Sequence, residues 1–529
     1  MGGNYNVVAK LAHGNTSYTL FGGYKMEKYD GTETNSEELF RLSEQNFDRL
    51  TSTLDGNQEM NNQYVQLNVE NRNDKRTLVG KLSFVRNDEP DNYSLTRLEY
   101  RGSNPMIKDS EKRTKQRGLM PSLNLYGYFN LKNNQFIETT LTGSYTNNDY
   151  SYSYQENGYK TFTRTNEDLY ALSGNVNYGI RFKHQNSLTG QLYHSHNISL
   201  SDYSGNSNTW QHLWTGETIF FMEYSHQIGK NFTLKAAPGF SSLQYKLHGE
   251  EHIKQFSPRL RARLIYRIDN NQQIQLTSNI GNTFPDISTM NNATQFVDSL
   301  MIKRGNSSLI PAKLYTTGLI YGLQTGRFNL QCMVSYLRGK GVTTQFFSEE
   351  NHNLVQSYTC GNNANVWNAY LSLSYKATDN LRFKLDGSWI NLQCQGDLDE
   401  WFNSLFAKAQ VDYYLKDFAF SLYGKTKEKQ MNMDLVRITM PVRYGLLISY
   451  SHNNLYAEIG TENPFTRKSK QQYETTIQDI YQIRNNLSCR TYQQTGYIKL
   501  AYTFDFGKKT SRSYNDVNKN INSAILKAN

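Results

Sequence analysis

Alternation of apolar and polar side chains with a period of two runs through this chain from one end to the other, and it leaves little besides long β-strands to build with. Val436, Ile438, Met440, Val442, Tyr444, Leu446, Ile448 and Tyr450 are interleaved with Arg437, Thr439, Pro441, Arg443, Gly445, Leu447 and Ser449. Residues two apart share a face of an extended strand, so the spacing predicts one strand with an apolar face and a mostly polar one. Tyr170, Leu172, Gly174, Val176, Tyr178, Ile180 and Phe182 repeat the pattern. Near the end, so do Ile498, Leu500, Tyr502, Phe504 and Phe506 against Lys499, Thr503 and Asp505. No run approaches the roughly eighteen apolar residues of a membrane-spanning helix, which excludes a helical membrane protein.

Charge restricts what each face can meet. Arg259, Arg261, Arg263 and Arg267 share one side of a strand, with Leu260, Ala262, Leu264, Tyr266 and Ile268 on the other. Placing four arginines in hydrocarbon at about 2 to 4 kcal/mol each would cost as much as a domain's whole stability. That face therefore meets water or acidic partners. Hydrophobic residues make up only 37% of the chain and mean hydropathy is -0.71, yet aromatics reach 13% and no low-complexity tract occurs. An aromatic-rich chain of this kind folds rather than staying disordered. The net charge of +10 is spread among acids along the chain, which argues against a nucleic-acid partner.

The connections separate a membrane barrel from a soluble sandwich. Short polar turns, such as His13 to Thr16, Asn71 to Asp74, Lys132 to Gln135, Asp269 to Gln272 and Ser451 to Asn454, alternate with long segments: Glu27 to Asn61, Arg86 to Gln116, Asp286 to Pro311 and Asn463 to Asn486. Short turns at one end and long loops at the other describe an outer-membrane barrel. The expected fold is thus all-β: a closed, antiparallel transmembrane β-barrel of about 22 strands, with about 21 present in this chain, short periplasmic turns and long extracellular loops. An odd count, with a first strand starting on the outer side, implies a missing first strand. Residues 1–507 are read as the barrel and 508–529 as a periplasmic tail. Ser36, Glu37 and Glu38 followed by Leu39, Leu42, Phe47 and Leu50 predict a short amphipathic helix in an outer loop. Tyr93 to Gly102 is read as an arm above the membrane.

At its close the chain reads Tyr502-Thr503-Phe504-Asp505-Phe506-Gly507-Lys508-Lys509, followed by Asn520-Ile521-Asn522-Ser523-Ala524-Ile525-Leu526-Lys527. This resembles the end of TonB-dependent receptor barrels of the Bacteroidetes type. Phe256-Ser257-Pro258-Arg259 resembles a strand opening of the same family, and Asn463-Pro464-Phe465 a loop after its penultimate strand. Gly305, Asn306, Leu309 and Pro311 match a family loop in part, with Ser307 and Ala312 in place of its proline and glutamate. The resemblance covers the barrel alone. It implies uptake of an unidentified ligand, a plug domain and the TonB complex as partners, outer-membrane lipid around the wall, and a Gram-negative outer-membrane location. The alternative is a non-transporting barrel, either a passive channel or a surface-binding scaffold.

Candidate lumen-facing residues are Arg259, Arg261, Arg263, Arg267, Tyr126, Tyr128 and Tyr497. The arginines suit an anionic solute or acidic groups of a plug. The tyrosines suit stacking on a ligand or the aromatic girdle that seats a barrel in lipid. His194 and His196, two apart on a strand, have the spacing of a metal chelate but read better as polar residues near the membrane edge. Glu250 and Glu251 beside His248 and His252 read as a solvated loop. Cys332, Cys360, Cys394 and Cys489 lack zinc spacing. No catalytic set and no cofactor motif is visible, so an enzyme is not expected.

Overall fold

The computed structural model describes residues 2–30, 32–183, 186–432, 434–467, 469–475, 478–488, 493–504, 506 and 515–528. Cys489, Asp505, Gly507, Lys508 and Lys509, named above, lie outside the described residues. In chain order the strands are β1 (Gly2–His13), β2 (Thr16–Asp30), β3 (Glu33–Arg41), β4 (Asn46–Arg72), β5 (Arg76–Gly102), β6 (Met106–Asn130), β7 (Gln135–Glu156), β8 (Tyr159–Arg181), β9 (Ser187–Gly205) and β10 (Thr209–Ile228). They continue as β11 (Phe232–Leu247), β12 (Ile253–Arg267), β13 (Gln272–Thr283), β14 (Thr294–Phe296), β15 (Met301–Arg304), β16 (Ala312–Gln324), β17 (Phe328–Glu350), β18 (Asn353–Lys376) and β19 (Leu381–Gln395). The last are β20 (Glu400–Leu415), β21 (Phe418–Lys425), β22 (Glu428–Met431), β23 (Val436–Met440), β24 (Arg443–His452), β25 (Leu455–Glu462), β26 (Lys470–Thr475), β27 (Tyr481–Ser488) and β28 (Thr495–Tyr502).

All 28 belong to one sheet. Its pairings are antiparallel except that of β15 with β18. Seven strands, β3, β14, β15, β22, β23, β26 and β27, sit inside connections. The other twenty-one pair in succession from β1 to β28 and form the wall.

The wall is turned inside out relative to a water-soluble sandwich. On β4, Tyr64 and Gln66 are buried while Val65 and Leu67 are exposed; on β5, Ser83 and Val85 are buried while Leu82 and Phe84 are exposed. Thr146, Asn148, Glu167, Ser199 and Ser241 continue the buried polar face, and Leu141, Leu172, Leu192, Leu276, Leu319 and Leu422 the exposed apolar one. A sheet in hydrocarbon needs this distribution: apolar side chains toward lipid, polar ones toward the lumen, and every backbone group paired between strands.

Three expectations are corrected. First, the sheet has 28 strands rather than about 22, because the long connections carry strands of their own, and the wall is not closed. Among the described residues no pairing joins β1 to β28. Both run toward the short-turn end, so direct pairing would be parallel in a sheet whose neighbours alternate. Above this gap, at the long-arm end, β22, β23, β26, β27, β3 and β4 pair in series. The connections of the first and last hairpins are thereby stitched together.

Second, the segment expected as an amphipathic helix is β3 and the start of β4. Glu38, Phe40 and Leu42 fall on one face, and Glu38 and Phe40 are buried between β27 and β4. Sheet pairing overrides the local helical spacing. Third, Arg86 to Gln116 is not an irregular loop: β5 and β6 continue as a paired hairpin up to the connection between Gly102 and Met106, with Tyr93 to Gly102 in its arm. The alternation from Val436 to Tyr450 likewise breaks into β23 and β24 at Pro441, which has no N–H for a ladder.

Residues 515–528, part of the segment read as a periplasmic tail, form no strand. They lie against lumen-facing side chains, with Val517 beside Phe21, Tyr64, Val85 and Met120, and Ile525, Leu526 and Ala528 among Tyr150, Tyr152, Tyr154 and Tyr203.

A charged cavity between the arms

Because β4 to β7 outrun the membrane-spanning part of the wall, their upper halves form tall arms, and the connection between β13 and β16 folds in against them. A cavity of about 660 Å³ lies between the two. It is lined by Arg49, Glu59, Glu89, Lys112, Tyr152 and Asp298 among others.

Arg49 on β4 organises one side. Its Nε and one terminal nitrogen donate to the two carboxylate oxygens of Glu38 at 2.7 and 2.8 Å. That terminal nitrogen also pairs with Asp298 at 2.8 Å, and all three side chains are buried. The guanidinium lies over the Phe40 ring, 5.2 Å from its centroid. Burial disfavours the charge on Arg49, but Asp298 and Glu38 outweigh it and hold the group protonated. Asp298 also accepts the backbone N–H groups of Leu300 and Met301, at 2.8 Å each. Two residues of the β13–β16 connection are thus locked to the arm through one carboxylate. The remaining Arg49 nitrogen, Nη1, is buried without a hydrogen-bond partner among the described residues.

Lys112 on β6 reaches the cavity beside Tyr152, with its Nζ 5.8 Å from the ring centroid. Burial pushes its pKa down, and Asp298 opposes this. Among the described residues it makes no ion pair.

Glu156 at the top of β7 ties the second side together. Tyr154 and Ser299 donate to one oxygen at 2.7 and 2.8 Å. Tyr100 and Lys108 donate to the other at 2.8 and 3.0 Å. Burial pulls the carboxyl upward, but these four donors win and hold it below the ordinary carboxylate range. A depressed carboxyl contributes stability above its unfolded pKa and loses it as pH falls through the folded one. Ser299 belongs to the inserted connection, so that connection should stay docked at neutral pH and loosen in acid below the ordinary carboxylate range. Amide exchange at residues 297–301, corrected for its intrinsic pH dependence, should accelerate about tenfold or more there. Glu156→Gln should exchange faster already at neutral pH and lose the acid dependence. A pH profile identical in the two proteins would discard this anchoring role.

The residues singled out in the sequence lie elsewhere and are not brought together. Arg259 is half-buried, paired with Glu217 at 3.0 Å and bonded to Ser241 Oγ at 2.9 Å and to the Asn282 carbonyl at 3.0 Å. Arg261 reaches Gln191 and lies 3.9 Å above the Phe221 ring. Arg263 and Arg267 are exposed, and Arg267 sits at the short-turn end beside Asp269. Tyr126 donates to Glu138 at 2.9 Å, and Tyr128 donates to Asn130 at 3.1 Å while accepting from Arg181 at 2.7 Å. Tyr497 packs across from Gly460 and donates to Glu458 at 3.0 Å. Tyr126, Tyr128 and Arg267 belong to the rim opposite the cavity. His194 bonds Thr218 at 2.9 Å, and His196 stacks on Trp214. Cys332, Cys360 and Cys394 are free thiols.

A sequence family described as "Outer membrane protein beta-barrel family" matches residues 250–502. No curated protein matches the chain in sequence. Solved structures resemble it in fold. The copper transporter OprC aligns with a TM-score of 0.57 at 12% identity, over 89% of this chain and 85% of that one. The siderophore receptor PirA from Pseudomonas aeruginosa gives 0.54 at 10%, over 92% and 80%. The alcaligin outer-membrane receptor FauA from Bordetella pertussis gives 0.50 at 11%, over 93% and 75%. The inverted wall, the family match and the shared fold together place this chain in the cell outer membrane of a Gram-negative bacterium as a transmembrane β-barrel.

Proposed function

We propose that this chain is the barrel of a TonB-dependent uptake receptor, which captures its ligand at the arm end and moves it inward at the expense of inner-membrane energy. The observation that carries the reading is the charged recess among the arms. The β13–β16 connection and residues 515–528 pack inside the wall, and the connection borders the recess that has Arg49 and Lys112 at its wall. The fold shared with a siderophore receptor and a copper transporter supports it. One further strand rising between β1 and β28 would make every neighbour in the wall antiparallel and bring the wall to twenty-two strands, an even number. In this reading Arg261, Arg263 and Arg267 meet acidic groups of a plug domain, and short turns face the periplasm.

The test is accumulation of a ligand panel (ferric siderophores, copper, oligosaccharides and oligopeptides) by cells with and without the gene, before and after collapse of the proton-motive force. Uptake of at least one ligand should vanish in both the deleted and the de-energised cells. Gene-dependent entry that survives de-energisation would identify a passive channel instead.

A further inference from the structure

Residues 515–528 are held in the lumen as a ligand is held. They form no ladder with the wall; instead, side chains of the wall and of the inserted connection read the backbone at every second residue from Asn522 to Ala528. The Asn522 carbonyl accepts from Asn148 Nδ2 at 3.0 Å. The Ala524 N–H donates to Glu167 at 2.8 Å, and its carbonyl accepts from Asn291 Nδ2 at 3.4 Å. The Leu526 N–H donates to the Tyr203 hydroxyl at 3.0 Å and the Ala528 N–H to the Tyr150 hydroxyl at 3.1 Å. This period of two is that of an extended chain recognised along one edge.

Side chains then fill matching recesses. Ala524 sits with Leu213, Tyr245, Leu247 and Met290, while Ile525, Leu526 and Ala528 sit among four buried tyrosines. Lys527 donates to Gln116 at 2.7 Å.

Glu167 is the decisive group. It is 1% exposed. Its wall donors are Ser199 at 2.7 Å and Asn148 at 2.8 Å. Its other two are Ser523 Oγ at 2.7 Å and the Ala524 N–H at 2.8 Å, both from the bound segment. With the segment withdrawn, this carboxylate keeps half its protein hydrogen bonds, and the two vacated places suit another peptide N–H and hydroxyl.

We propose that the lumen face of β7 to β9, completed by Asn291, is a binding site for extended peptides, and that residues 515–528 are its resident occupant. The site takes a chain with free N–H groups at alternate positions and small or aliphatic side chains over a four-residue stretch. This deepens the uptake reading by naming an oligopeptide as the ligand class, and rests on that reading only for transport.

The experiment uses the full-length protein in lipid nanodiscs and a fluorescein-labelled synthetic peptide with the sequence of residues 515–528. In the parent protein the tethered segment competes at high effective concentration, so binding of the free peptide should be weak. Ile525→Asp with Leu526→Asp should expel the segment from its apolar recess and raise peptide affinity at least tenfold. In that background Tyr203→Phe, and separately Glu167→Gln, should each weaken binding about tenfold. A peptide with proline at the positions of Ala524 and Leu526 lacks the two N–H groups and should not bind. Heat-modifiable migration on gels reports that each barrel is folded. If the folded double variant binds no peptide, or binds the proline peptide equally well, the inference fails while energised uptake stands. If peptide binds but no energised uptake is found, the transport reading fails and the site stands.

Discussion

Replacing Arg49 by alanine should free the β13–β16 connection from the arms while leaving the wall intact. The substitution removes the only cation from a buried triad and strands Glu38 and Asp298 in a low-dielectric pocket, where breaking one partner of such a group costs about 3 to 5 kcal/mol. The Tyr481 hydroxyl donates to Glu38 at 2.8 Å and cannot supply the missing charge. The structure can avoid the cost by undocking Asp298 together with Leu300 and Met301, which it caps. Trypsin should then cut at Lys303 or Arg304 at least a hundredfold faster than in the parent protein, with the heat-modifiable gel shift unchanged. Neutralising the whole triad with Glu38→Gln, Arg49→Met and Asp298→Asn should restore much of the protection, since uncharged groups of similar size carry no such desolvation cost. Equal protection of the parent and Arg49→Ala would show that the triad does not dock the connection.

The second large effect concerns the solvent of the outer face. Leu141 lies mid-way up the membrane part of β7, opposite Leu125 on β6 and Gly174 on β8, and is exposed. In vesicles Leu141→Arg should lower unfolding free energy by about 2 to 4 kcal/mol, the midplane cost of an arginine facing lipid. Thr140→Arg, one residue away on the lumen side and two from Glu138, should change it by less than about 1 kcal/mol. Denaturant titration of both in the same lipid is the measurement. Equal costs would mean that hydrocarbon does not bathe the side bearing Leu141.

Much of the wall was legible because hydrocarbon imposes its pattern locally. Each strand must by itself alternate, so Tyr170 to Ile180 and Ile498 to Phe504 declare themselves within a dozen residues. The short turns were legible for a similar reason, being polar breaks between periodic runs. The cavity was not, since Glu38, Arg49, Lys112, Glu156 and Asp298 come from five separate stretches whose meeting depends on how far the arms rise. No residue of the triad carries a local signal: Glu38 sits in a segment with helix-like spacing, and only its pairing with β27 and β4 makes it a strand. The placement of residues 515–528 was hidden in the same way. Ile521, Ala524, Ile525 and Leu526 announce an apolar patch but not which surface receives it, and nothing local marks Tyr150 and Tyr203 as the side chains that do. The candidate arginines and tyrosines were chosen by face alone, and face says nothing of height along the barrel.

The stitch of β27 onto β3 has a mechanical corollary. Among the described residues the ribbon of the wall is clasped at its long-arm end and unpaired at its short-turn end, in the manner of a collar buttoned only at the top. Any parting of β1 from β28 must therefore begin at the short-turn end. The outer crown, in turn, can be pulled on from the first hairpin and felt at the last.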